Sequence, residues 1–136
     1  MSEVDRRFEF IMADEATADL RELRYRDRDA FDEIIILLQE LRNDIRACEQ
    51  LTDEHHSDDV ISIVKPFEAL QRERLNAYIV KLYEAPHWRI ITACDHRAKK
   101  VAILAFMNRN VDYEKDAEFM ERLKGSYEAL EFTTLG

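Results

Sequence analysis

The 136-residue chain has only two glycines, Gly125 and Gly136, both near its end. That scarcity excludes Gly-rich phosphate loops and dinucleotide fingerprints, which need glycine where backbone must approach phosphate closely. Two isolated cysteines, Cys48 and Cys94, supply neither a disulfide framework nor a zinc ligand set. No run comes near the roughly 20 apolar residues that span a bilayer. The start, Met1-Ser2-Glu3-Val4-Asp5, is acidic and lacks the apolar stretch of a signal peptide, so a cytoplasmic protein with no membrane partner is expected. A core is present: 46% of residues are hydrophobic, which rules out wholesale disorder, and the length suits one domain.

Charge is abundant but uneven. The chain carries 20 Lys and Arg against 29 Asp and Glu, a formal charge of −9. A nucleic-acid binder needs a positive footprint, so the total argues against one. Divided by segment, however, residues 1–59 carry −10, residues 60–110 carry +5 and residues 111–136 carry −4. A basic middle between acidic flanks marks where an anionic partner would dock. Pairing of basic strands with acidic helices accounts for the same pattern, and charge alone leaves the two open.

Phe8, Phe10 and Met12 alternate with Glu9 and Ile11, which predicts a first strand over about residues 7–13. Asp14 reads as the N-cap of a helix from about Glu15 to Tyr25, and Asp27 or Asp29 as the cap of the next. In that second helix, about Ala30 to Leu51, Phe31, Ile34, Ile35, Leu38, Leu41, Ile45 and Cys48 form an amphipathic stripe, a core face or else a partner groove. Residues 53–59 are a polar loop. Val60 to Val64 is β-branched and then meets Pro66, which suits an irregular or edge element. Residues 67–76 form a helical turn or a loop. Three β-rich runs follow, Ala77–Tyr83, His87–Cys94 and Val101–Phe106, with connections too short for parallel crossovers. They predict an antiparallel three-stranded meander. A last helix, about Glu114 to Tyr127, is weakened or ended at Gly125. The predicted class is α+β: a strand and two helices, the meander, then a C-terminal helix.

With the meander Tyr78-Ile79-Val80-Lys81-Leu82, His87-Trp88-Arg89-Ile90-Ile91 and Val101–Phe106, and the closing Ala105–Lys115 stretch, the chain resembles the RelE/HigB-type toxins of bacterial toxin–antitoxin systems. The resemblance covers about residues 75–123 closely and 6–50 by architecture. It implies a microbial-RNase-like sheet that cuts mRNA without metal or other cofactor, on or off the ribosome, and a cognate antitoxin as partner. It further implies that Lys81, Arg89, Arg109 and Tyr113 are catalytic. Arg97, Lys99 and Lys100, in a basic turn, and Trp88, as a base-stacking ring, are candidate RNA-binding residues; sheet packing is the alternative for Trp88 and Tyr78. The chemistry is coherent. Cleavage through the ribose 2′-hydroxyl needs a base at that oxygen, positive charge on the phosphorane and an acid at the 5′-oxygen. Arg supplies fixed charge to phosphate; Lys supplies a point charge or, with a depressed pKa, a base.

His87 and His96 are further candidates for the base, and His55-His56 for an adventitious metal contact. The chain departs from the family pattern at Ile79 and Asn108, where relatives are often basic, in its acidity, and in its longer segment 48–74. These departures leave room for a gyrase inhibitor of the ParE branch or an inactive protein-interaction module on the same scaffold.

Overall fold

The computed structural model describes residues 8–112 and 115–135. Along the chain run β1 (Glu9–Met12), α1 (Asp14–Arg26), α2 (Arg28–Asn43), a 3-10 segment (Ile45–Thr52), β2 (Ile61–Pro66), α3 (Glu68–Gln71), β3 (Ala77–Leu82), β4 (Trp88–Asp95), β5 (Lys100–Asn108) and α4 (Ala117–Ala129). The class is α+β, but the sheet is larger than the expected meander. It has five strands in the order β1-β5-β4-β3-β2. β1 joins β5 in parallel, Phe10 opposite Val101, while the other neighbours are antiparallel. The apolar run before Pro66 becomes edge strand β2, and Pro66 ends it where the missing N–H is tolerated.

Both sheet faces are covered. On one, Ala16 and Leu23 of α1, Ile34, Leu38 and Leu41 of α2, and Cys48 and Leu51 of the 3-10 segment pack on Val80, Leu82, Ile90, Val101, Ile103 and Phe106. On the other, Phe67, Leu70, Leu123, Tyr127 and Phe132 pack on Ile79, Ile91, Ala93, Ala102, Leu104 and Ala105. The central strands β4 and β5 are therefore buried along nearly their whole length instead of alternating. Small Ala93, Ala102 and Ala105 leave room for α4 to lie close to the sheet.

The local capping rule holds for α2 and α4 and fails for α1. Asp27 caps α2, its side chain accepting from the Ala30 N–H at 3.2 Å. Asp14 does not cap α1; Ala13 holds the cap position without a side-chain bond, and Asp14 is the first helical residue, where its charge suits the helix dipole. The single helix expected from Ala30 to Leu51 breaks at Asp44, whose extended backbone (φ −129°, ψ 97°) ends α2. The 3-10 segment carries the apolar stripe onward and is tied to β4 by the Thr92 hydroxyl, which donates to the Leu51 carbonyl at 2.7 Å. Gly125 neither ends nor interrupts α4, which runs on to Ala129 after an Asp116 cap; the Glu114 start expected for it lies outside the described residues. The C-terminal tail is anchored: Tyr127 accepts from the Asn76 N–H and donates to the Thr133 carbonyl, and Asp95 accepts from the Thr133 N–H. No helix among the described residues is long and apolar enough to cross a membrane.

Candidate nucleic-acid interface

Lys81 and Arg89 stand directly opposite each other on β3 and β4. Residues paired in this way share a face, with Cβ atoms about 5 Å apart. Ile63 of β2 lies opposite Lys81 on its other side, and Lys65 lies opposite Ile79, which makes it a diagonal neighbour of Lys81. Three adjacent strands thus bring three cations to one end of one face. The position follows from the helix cover. Ile79 and Ile91 are buried with Leu123 and Phe67, whereas one step along the strands Lys81 and Arg89 are half-buried and Ile63 is 47% exposed.

Like charges directly across a ladder repel. Partial burial, then the positive charges of Lys65 and Arg89, and finally a hydrogen bond with Lys65, hold Lys81 below the usual lysine range. Among the described residues, no ion pair involves Lys65, Lys81 or Arg89; the described ion pairs lie on α1, α2, α4 and the loops. On a chain of charge −9, this is an uncompensated cationic cluster. Cations gathered in this way can pair with an anion that carries several oxygens.

The other expected site residues are distributed as follows. Arg109 is exposed just beyond β5, and its backbone N–H donates to the His87 carbonyl at 2.8 Å, which places both residues at the Arg89 end of the sheet. Tyr113 lies outside the described residues. Arg97, Lys99 and Lys100 lie in and beside the β4–β5 turn, at the opposite end of the strands. Six residues along β4 separate Asp95 from Arg89, about 20 Å at the usual strand rise, so the turn and the cluster cannot hold the same phosphate. Within that turn, Lys99 lies 5.2 Å from the Phe8 ring and Asp95 accepts from the Arg97 and Ala98 N–H groups. His96, edge-on to Phe8, is likewise remote from the cluster.

Trp88 is corrected outright. Its ring is 8% exposed and packs in the α1–α2 core; its Nε1–H donates to Asp27 at 2.8 Å and the Arg26 guanidinium sits 5.5 Å from the ring centre. Strand alternation turns Arg89 outward on the other face and Trp88 inward. The ring therefore does not face the Lys81 and Arg89 side of the sheet. Tyr78 is likewise packed against that core. His56 pairs with Asp58 at 2.7 Å in the polar loop.

Sequence reasoning did not single out Lys65, because its run looked too irregular to assign a face. Its one signal is that it is the sole charge between Val60 and Phe67. A second polar group was also missed. Asp19 of α1 accepts from the Phe106 N–H at 3.1 Å and from Arg122 of α4, and Arg122 also meets Glu15 at 3.0 Å. Asp19, Phe106 and Arg122 line a cleft of about 220 Å³ with Arg26, Trp88 and Asn108. Burial raises the Asp19 pKa against the opposing pull of Arg122. Asp19 is already paired with Arg122, and its bond to the Phe106 N–H closes the β5 edge beyond β1. No family model, curated protein or solved structure matches the chain.

Proposed function

We propose that the protein is an endoribonuclease of RelE/HigB toxin type that holds single-stranded mRNA on the Lys65, Lys81 and Arg89 face and is neutralised by a cognate antitoxin. The observation that supports this reading is the uncompensated cationic cluster at the open end of an otherwise helix-covered sheet. Two of its members are the residues to which the resemblance assigns catalysis. The lowered Lys81 pKa suits a base, since more of the side chain is neutral at a given pH. Lys81 takes the proton of the ribose 2′-hydroxyl, the 2′-oxygen attacks phosphorus in line, and the 5′-oxygen leaves with a proton taken from water. The products are a 2′,3′-cyclic phosphate and a 5′-hydroxyl end. Arg89 and Lys65 place fixed charge on the pentavalent phosphate, and Arg109 approaches from the end of β5. An antitoxin that covers this face would present acidic groups to it.

The experiment is induced expression followed by mapping of mRNA 5′ ends. Cuts that vanish in the Lys81→Ala/Arg89→Ala/Arg109→Ala triple variant support the assignment; cuts that persist overturn it. The acidity of the whole chain favours one second reading, a protein-binding inhibitor of gyrase type or an inactive interaction module. A DNA-damage response without mRNA cuts would select it.

A further inference from the structure

Two large apolar side chains flank the cationic cluster and are left in solvent. Ile63, opposite Lys81, is 47% exposed, and Tyr83 is 54% exposed. Tyr83 stands two residues beyond Lys81, just past the end of β3 at Leu82. Its N–H donates to the Val60 carbonyl at 3.1 Å, which carries the β3–β2 pairing one residue beyond Leu82 and Ile61. Among the described residues its ring makes no aromatic contact. Tyr25 is still more exposed, but it stands on α1, away from the three cation-bearing strands.

An exposed ring beside a row of phosphate-binding cations is the combination that single strands use: the groove tracks the backbone and the ring takes the face of a base. A free phosphate or a duplex, whose bases are stacked inward, has no use for the ring. We infer that Tyr83 is the base-stacking platform of the site, so that the cluster selects an unpaired nucleotide rather than a lone phosphate group. The inference rests on the RNA-binding reading above and names how the substrate is recognised. Tyr83 orders the nucleotide against the sheet while Lys65, Lys81 and Arg89 hold its phosphate.

The test is fluorescence anisotropy with two labelled probes of about eight nucleotides, an oligouridylate and the same ribose-phosphate backbone without bases. The wild-type chain binds the oligouridylate more tightly than the abasic backbone. Tyr83→Ala lowers affinity for the oligouridylate by about tenfold, a typical value for one stacked base, and leaves the abasic probe unaffected; Tyr83→Phe restores the preference. Arg89→Ala weakens both probes. If Tyr83→Ala binds both as the wild type does while Arg89→Ala weakens both, the stacking role is overturned and the RNA-binding reading stands. If the wild type binds neither probe, or Arg89→Ala changes neither affinity, both fall.

Discussion

The indole Nε1–H of Trp88 donates to one oxygen of Asp27 at 2.8 Å while the other oxygen accepts from the Ala30 N–H at 3.2 Å. One carboxylate therefore caps α2 and anchors the first residue of β4, fixing the α1–α2 corner on the sheet. Asp27→Ala removes both bonds. Loss of the cap costs about 1 kcal/mol and the stranded indole N–H about 1–3 kcal/mol more. Urea unfolding of Asp27→Ala is expected to show a loss of about 2–4 kcal/mol, with Asp27→Ser recovering the cap share. A change under about 0.5 kcal/mol, the usual range for a plain surface substitution, would count against the coupling.

Gly125 stands inside α4, and a Cβ placed on it meets no atom within 4 Å. Its backbone freedom serves no turn or close approach. Gly125→Ala is expected to stabilise the protein by about 0.5–1 kcal/mol, read as a raised urea midpoint at unchanged slope.

Burial pushes the Asp95 carboxyl up, but the N–H groups of Thr133, Ala98 and Arg97 outweigh it and hold the group below its ordinary range. A carboxylate with a depressed folded-state pKa contributes stability above its unfolded value, near 4, and loses that contribution as pH falls through the folded one. Asp95→Asn is thus expected to unfold more easily than the wild type at pH 7. The gap closes on acidification below about pH 4, followed by thermal unfolding across pH; a gap independent of pH would contradict the ionic role.

Much of the fold is legible in the sequence. Runs such as Tyr78–Leu82 and Val101–Phe106 read as strands because β-branched and aromatic residues crowd them, and Asp27 reads as a cap from its type and place. What escapes is set by long-range contact. The parallel pairing of β1 with β5 depends on where two helices return the chain, and no local pattern encodes that. The break at Asp44 is hidden because Cys48 and Leu51 continue the apolar stripe in 3-10 form. The candidate site divides in the same way. Lys81 and Arg89 are paired by a short hairpin and can be placed from sequence, but Lys65 joins them only through a bulge between Ile61 and Ile63 that shifts the register of β2. Trp88 misleads because it immediately precedes Arg89 and the pleat turns the two to opposite faces.

Cations held together without counter-ions should cost stability. Lys81, whose pKa is lowered by burial and by Lys65 and Arg89, destabilises the folded state while charged, since the unfolded chain binds its proton more readily. Lys81→Met is expected to melt higher than the wild type near neutral pH at low salt. The difference shrinks as pH rises through the lysine range and the wild-type side chain loses its proton. Inorganic phosphate should raise the melting temperature of the wild type more than that of the variant. A lower melting temperature for Lys81→Met, with phosphate helping both equally, would remove the anion-site account.

The central claim is that Lys65, Lys81 and Arg89 together hold a single-stranded phosphodiester backbone, and the salt dependence of RNA binding tests it most directly. Each phosphate contact contributes about −0.7 to the slope of log affinity against log salt for a single strand. Three cations predict a wild-type slope of about −2, and each alanine substitution should reduce its magnitude by about 0.7. A slope unchanged by Lys65→Ala, Lys81→Ala and Arg89→Ala would contradict the account.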